Sequence, residues 1–170
     1  FLVIKRKLMS PIKNILIFAS IIFVLDQITK LIVVHYMDLS GLLYIKFIPP
    51  ILNFRMAWNE GINFGLFASD SEFMRWFLII LAIFICSYFL IWMRKEERLL
   101  IQVFCGLILG GALGNVCDRL IYGAVADFIN LSCCGFENPY SFNIADACIF
   151  FGVFGIIFKI EKSQPKIQSK

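Results

Sequence analysis

Four apolar stretches dominate this chain of 170 residues. They cover roughly residues 12–36, 73–93, 99–121 and 142–159, and a helix needs about 20 apolar residues to cross a bilayer. With 60% hydrophobic residues and 19 Phe, too few polar side chains remain to cover a water-soluble domain. The sequence therefore predicts an integral membrane protein, mainly α-helical, with four transmembrane helices.

Basic residues predict the orientation of these helices. Lys and Arg cluster before the first stretch, between the second and third, and after the fourth, whereas segments 37–72 and 122–141 contain only Lys46 and Arg55. Because short cytoplasmic loops retain Lys and Arg, both termini are predicted to be cytoplasmic. The net charge of +4 mostly reflects this topology, so we expect no nucleic-acid partner.

The segment between the first two stretches has a different pattern. Large apolar side chains alternate with smaller or polar ones from Leu52 to Asn59, which is the period of a half-buried strand. We expect a small β-sheet on the outer membrane surface, between helices 1 and 2. It should include Tyr44–Ile48 and residues 123–129.

Small residues recur in the third apolar stretch. Gly106, Gly110, Gly111 and Gly114 form two overlapping small-xxx-small patterns, which let a neighbouring helix backbone approach closely. The pattern predicts contact between helices one and three, or between helices three and four.

The domain limits and the cysteines carry weaker signals. Met9 looks like a natural start, so we expect residues 1–8 to be upstream sequence, 9–162 to form one membrane domain, and 163–170 to be a polar cytoplasmic tail. The six cysteines lack paired metal-ligand spacing, so we expect neither a metal nor another cofactor. Adjacent cysteines rarely bridge each other, so we do not expect a bond between Cys133 and Cys134, and the sequence leaves their redox state open.

Two aspartates, Asp127 and Asp146, lie where apolar stretches meet their outer boundary. Carboxylates at such positions are costly and are typical of functional sites. Two close carboxylates share a proton, so one can activate water while the other protonates a leaving amine. The alternatives are that Asp127 is a solvated loop residue and that Asp146 only stabilises the first turn of a helix capped by Asn143.

Further polar residues lie near these boundaries. Asn115, Asp118 and Arg119 share one helix face, and we expect Asp118 to form an ion pair with Arg119 that supports the site rather than reacts. Asp26 and Lys30 are four residues apart and should neutralise each other. The only histidine, His35, lies at the far end of the first apolar stretch. We therefore expect no Ser-His or Cys-His catalytic pair in place of the aspartates.

The order of these motifs resembles the lipoprotein signal peptidase (signal peptidase II) family from about residue 15 to residue 158. The matching blocks are DQITK at 26–30, NEGINFG at 59–65, GGALGNVCDR at 110–119, VADF at 125–128 and FNIAD at 142–146. Asn63 departs from the family, which usually has a small apolar residue there. Any one block is a weak signal, but five in this order are a strong one.

The resemblance implies an intramembrane aspartyl endopeptidase of the bacterial cytoplasmic (inner) membrane, with four helices, an outer-face β-cradle and an outward-facing active site. Its dyad falls on Asp127 and Asp146. The implied partners are a lipidated prolipoprotein, cleaved before its diacylglyceryl-cysteine, and membrane lipid; a monomer is expected. The implied site-supporting or substrate-binding residues are Asp26, Lys30, Asn59, Gly61, Asn115, Asp118, Arg119 and Asn143.

Two other functions remain open on the sequence alone. Intramembrane Asp and Lys also occur in small proton-coupled transporters or channels, although four helices without an inverted repeat make this weaker. A structural membrane subunit would tolerate replacement of these aspartates.

Segment 59–65, with two glycines, is expected to close over a bound peptide.

Overall fold

Four long helices make up most of the structure, a computed structural model that describes residues 10–61, 71–133, 135 and 137–161. Helix α1 (Pro11–Lys30) continues as a π-helix over Leu31–Tyr36, and α2 (Leu39–Leu42) is a single turn. The other helices are α3 (Ser71–Trp92), followed by a 3₁₀ turn at Met93–Lys95, α4 (Leu99–Tyr122) and α5 (Ile144–Glu161). All four predicted helices are therefore present.

Three of these helices are long and apolar enough to cross a membrane, within the described part of the chain: Pro11–Tyr36, Glu72–Lys95 and Leu99–Tyr122. Their outward faces are apolar, and Phe84 on α3 leaves 67% of its surface exposed. Such a surface is suited to lipid rather than water. Helix α5 is shorter, with 18 residues that include Asp146, Lys159 and Glu161, and is not counted among these spans.

Helix α4 lies at the centre and contacts α1 on one side and α5 on another. A Cβ atom on Gly110 would lie 2.5 Å from the carbonyl oxygen of Ala19 in α1, and one on Gly111 would lie 2.5 Å from that of Ala145 in α5. Both predicted helix contacts are therefore present, and each requires a residue without a side chain. Gly123, at φ 83°, ends α4 in the left-handed conformation.

Three strands form one antiparallel sheet in the order β1-β2-β3. They are β1 (Tyr44–Ile48), β2 (Leu52–Asn59) and β3 (Val125–Leu131). The first two have the predicted bounds. The third begins two residues later than predicted because Gly123 still caps α4, and it extends two residues further. An irregularity in β2 between Phe54 and Ala57 interrupts its pairing with β3.

The end of α1 packs on this sheet through an apolar cluster. Val33 and Val34 of the π-helix and Leu39 of α2 are buried against Phe54 of β2 and Phe128 of β3. Burial of these side chains stabilises the contact between the sheet and the helices, and it positions β3 beside the C-terminal end of α4.

Some predictions concern residues outside the described ranges, namely the upstream segment 1–8, the tail 163–170 and most of the 59–65 loop with Asn63. The redox state of Cys133, which the sequence left open, is given by the structure: Cys133 is disulfide-bonded. The free cysteines of the described chain are Cys86, Cys105, Cys117 and Cys148.

Candidate active site

The two predicted catalytic aspartates come from different elements that meet beside α4. Asp127 is the third residue of β3 and only 4% of its surface is exposed. Asp146 lies in the first turn of α5 and is half-buried. Although 19 residues separate them in sequence, both belong to one hydrogen-bonded network.

Asn143 links the two aspartates directly. Its side-chain Nδ2 donates to Asp127 Oδ1 at 2.7 Å, while its Oδ1 accepts from the backbone N–H of Asp146 at 2.8 Å. The backbone N–H of Asn143 donates in return to Asp146 Oδ2 at 3.3 Å. This reciprocal arrangement is a capping box at the start of α5, and its fully buried asparagine also holds Asp127.

Two further asparagines complete the polar surroundings of the pair. Asn59 at the end of β2 donates to Asp127 Oδ2 at 3.1 Å, and Asn115 of α4 donates to Asp146 Oδ1 at 2.9 Å. Asn115 Oδ1 also accepts from Asn143 at 3.2 Å. Neutral amides therefore orient both carboxyl groups without neutralising them, which leaves the groups able to exchange a proton.

Gly61 holds Asn59 in place. Its backbone N–H donates to Asn59 Oδ1 at 3.1 Å. At φ 127° it adopts a conformation that L side chains rarely take, and a Cβ there would lie 3.0 Å from Leu78 and Met74 of α3. Gly61 thus fixes the amide that contacts Asp127.

Burial raises the pKa of Asp127 to about 7, and the negative charge of Asp146 acts in the same direction. Hydrogen bonds from Asn59 and Asn143 and the charge of Lys30 oppose this rise. Near neutral pH Asp127 therefore exchanges readily between its protonated and ionised forms. A carboxyl group of this kind beside a second one allows acid and base roles in one reaction.

A buried ionic cluster lies behind the pair. Lys30 Nζ is 2.7 Å from Asp26 Oδ2 and 2.8 Å from Asp118 Oδ2, and both carboxylates are fully buried. Gln27 donates to each of these carboxylates at 3.1 Å. The predicted pairing of Asp26 with Lys30 is confirmed.

Each of these carboxylates also binds the backbone immediately before a catalytic candidate. Asp118 Oδ2 accepts from the N–H of Ala126 at 3.1 Å, next to Asp127. Asp26 Oδ1 accepts from the N–H of Ala145 at 3.0 Å, next to Asp146. The ionic cluster therefore ties the start of β3 and the start of α5 to α1 and α4.

The predicted ion pair between Asp118 and Arg119 was wrong. Adjacent helical residues point in different directions, and Asp118 instead meets Lys30 of another helix. Arg119 donates to the backbone oxygen of Asn115 at 3.4 Å, and its buried Nε has no hydrogen bond within the described chain. Arg119 lies close enough to both Asp127 and Asp146 for their charges to act on it.

Sequence reasoning missed three contributors to the site. Gln27 bridges two buried carboxylates, and the backbone N–H groups of Ala126 and Ala145 are the atoms that those carboxylates hold. Gln27 carried a signal, because it interrupts an apolar stretch beside Asp26. The two alanines carried none, since their backbone contacts arise only from the packing of distant segments.

An apolar groove begins at Asp146. It encloses about 310 Å³ and runs from Asp146 along one face of α5, past Ile149, Phe150, Val153 and Phe154. These residues repeat at the spacing of helical turns. The groove can accept an apolar chain whose end reaches the carboxyl group of Asp146.

The chain is similar to known proteins over most of its length. The family model described as signal peptidase (SPase) II matches residues 18–161. The lipoprotein signal peptidase of Methylobacterium radiotolerans is 39% identical over 88% of this chain and 86% of its own length, and that of Caulobacter vibrioides is 41% identical over 79% of each. A solved structure described as a bacterial membrane enzyme superimposes with a TM-score of 0.75 at 30% identity, covering 89% of this chain and 95% of its own.

Proposed function

This chain belongs to the signal peptidase II family, a family of peptidases that remove signal peptides from prolipoproteins, and on that premise we propose that it is an intramembrane aspartyl endopeptidase. Asp127 and Asp146 form the catalytic dyad. The observation that carries this proposal is Asn143, whose side chain and backbone contact both carboxyl-bearing residues at once.

The dyad divides the work between a base and an acid. Asp146, ionised at the start of α5 where the helix dipole favours a negative charge, takes a proton from the attacking water. Asp127, which burial keeps protonated up to about pH 7, donates a hydrogen bond to the scissile carbonyl oxygen. The water oxygen then bonds to the carbonyl carbon and gives a tetrahedral intermediate.

Collapse of that intermediate breaks the carbon–nitrogen bond. A proton passes from the dyad to the leaving nitrogen, so the products are a signal peptide with a new carboxyl group and a mature chain with a free amine. The proposed leaving nitrogen belongs to the diacylglyceryl-modified cysteine. The asparagine amides keep the carboxyl groups oriented throughout.

The remaining polar residues position the dyad. Asp26, Lys30 and Asp118 hold the backbone before each aspartate, and Asn59, Asn115, Asn143 and Gly61 orient the carboxyl groups. Arg119 lies within electrostatic range of both aspartates, and its unpaired Nε is available for the substrate backbone.

The proposal includes an arrangement in the membrane. We place the dyad and the three-stranded sheet at the outer face of the bacterial cytoplasmic membrane, with α5 as a fourth transmembrane helix. Residues 9–162 form the peptidase domain and act as a monomer, with 1–8 and 163–170 outside it. The acyl chains of the substrate stay in the lipid, and the apolar groove along α5 receives the signal peptide.

Replacing either dyad residue by Asn tests the mechanism. Asp127→Asn and Asp146→Asn should each reduce cleavage of a diacylglyceryl-modified precursor at least a thousandfold, because neither variant can both accept and donate the catalytic proton. The measurement is turnover by purified protein in lipid or detergent, with unmodified precursor as the substrate control.

Asp38→Asn is the matched control. Asp38 is exposed and adopts the left-handed conformation at φ 54°, which Asn also tolerates, so this variant should keep full activity. Cleavage by either dyad variant at a rate near that of Asp38→Asn would refute the assignment.

A further inference from the structure

Helix α3 reaches the network around the two aspartates through two apolar side chains, Met74 and Leu78. A Cβ on Gly61 would lie 3.0 Å from Leu78 Cδ1 and 3.0 Å from Met74 Cγ. The two side chains are four residues apart and therefore share one face of α3, and both are half-buried. The backbone of Gly61 thus lies directly against them.

The side chain of Asn59 depends on Gly61 for its orientation. Asn59 is an exposed residue at the end of β2, so burial does not fix its amide. The backbone N–H of Gly61 donates to Asn59 Oδ1 at 3.1 Å, and Asn59 Nδ2 donates to Asp127 Oδ2 at 3.1 Å. Because Gly61 occupies the oxygen of the amide, the end that faces Asp127 is the N–H donor.

Helix α3 is itself held against the end of α4, next to Met74. The Nη1 atom of Arg75 lies 4.0 Å from the place where a Cβ of Gly123 would be. Gly123 caps the C-terminal end of α4, where the helix dipole favours a cation. The surface formed by Met74 and Leu78 therefore has a defined position relative to α4.

We propose that Met74 and Leu78 are positioning residues for Asp127, because they hold Gly61 where it makes Asn59 donate to the carboxyl group. This inference rests on the proposed function. An N–H donor stabilises the ionised form of a carboxyl group, and the hydrogen bond from Asn59 opposes the rise in the pKa of Asp127 that burial causes. Contact with α3 thus helps Asp127 to release its proton as well as to hold it.

Charged groups on the elements around Asp127 also influence its proton. They are Asp26 and Lys30 of α1, Asp118 and Arg119 of α4, Asp146 of α5, Arg55 and Glu60 in and just after β2, and Glu72 and Arg75 of α3. A substitution at Met74 or Leu78 leaves every one of these charges in the chain. A changed titration of Asp127 in such a variant therefore reports on the hydrogen bond from Asn59.

The test measures the pH dependence of kcat/KM for the lipidated precursor in Leu78→Ala, Met74→Ala and Asn59→Ala. Each variant weakens or removes the same hydrogen bond, so the falling limb near pH 7 should move to higher pH by about half a pH unit or more. The value of kcat should fall about tenfold as Asp127 loses its orientation. Adding Leu78→Ala to Asn59→Ala should move the limb no further, since both changes act through one contact.

Two further variants separate positioning from stability. Leu78→Met refills the space beside Gly61 and should restore the wild-type limb. Ile80→Ala removes a side chain of α3 that is 64% exposed, and it should leave both the limb and kcat unchanged. A wild-type limb in folded Leu78→Ala and Met74→Ala, or a further move of the limb in the double variant, would overturn the inference. Folded wild-type protein that does not cleave the precursor would instead refute the proposed function.

Discussion

The carboxyl group of Asp127 is buried beside α5, and burial is the main reason that its pKa is raised to about 7. Below that pH Asp127 is protonated and can act as the acid; above it, Asp127 is ionised and the acid is lost. We therefore expect kcat/KM to fall as the pH rises through about 7. A pH–rate profile with the lipidated precursor measures this limb, and a rate that keeps rising up to about pH 9 would contradict it.

Lys30 lies between two fully buried carboxylates, which it neutralises together. Lys30→Met keeps most of the side-chain volume but leaves both carboxylates without their cation, so we expect a loss of roughly 3–5 kcal/mol in the free energy of unfolding. Activity should fall too, because Asp26 and Asp118 position the dyad backbone. Denaturant unfolding in detergent measures the first effect. Lys13→Met, at an exposed position of α1, is the control, and equal stability of the two variants would refute the expectation.

Spacing along one helix predicted one partner of Lys30 but not the other. Asp26 and Lys30 are four residues apart, so their contact is local and readable from sequence. Asp118 reaches Lys30 only because α1 and α4 pack together. The mistaken pairing of Asp118 with Arg119 came from treating neighbours in sequence as neighbours in space.

At the level of elements, Gly111 determines how closely α5 approaches α4. A Cβ at this position would lie 2.5 Å from the carbonyl oxygen of Ala145, the residue before Asp146. Gly111→Ala should therefore displace the start of α5, cost about 1–3 kcal/mol of stability and reduce kcat at least tenfold. The measurements are denaturant unfolding and turnover of the lipidated precursor.

Gly152→Ala provides the matched comparison. Its Cβ would lie 2.7 Å from the backbone oxygen of Phe104, so it strains the same helix pair about two turns away from Asp146. It should lose similar stability but retain more activity than Gly111→Ala. Equal loss of activity in both variants would show that the position of Asp146 is not what Gly111 controls.

The elements themselves were largely readable from the sequence. Alternation from Leu52 to Asn59 predicted β2, and length and hydropathy predicted the helices, because both patterns are local. The π-helical end of α1 and the irregularity between Phe54 and Ala57 were not predicted, since both depend on how α1 and β3 pack against the sheet. The bond at Cys133 was also not predicted, as no local pattern favours it.

For the whole molecule, the site depends on contacts between segments far apart in the chain. One carboxylate of α1 reaches the start of α5 across 119 residues, and Asn59 reaches Asp127 across 68. The motifs identified the residues that take part, and the packing of α1, α4 and α5 decided which atoms meet. We therefore expect the proposed dyad to form only when all three helices are in place.

The position of α5 completes this arrangement. Its 18 residues span about 27 Å, close to the roughly 30 Å thickness of the hydrocarbon core, and Lys159 near its end can extend to one membrane surface. We expect a green fluorescent protein fused after residue 170 to fluoresce and alkaline phosphatase fused after Glu137 to be active. If green fluorescent protein fused after residue 170 is dark and alkaline phosphatase fused after residue 170 is active, α5 does not cross the bilayer. In that case Asp146 would have to reach Asp127 from a helix lying on the membrane surface, and the apolar groove along α5 would no longer be open to a signal peptide held within the lipid.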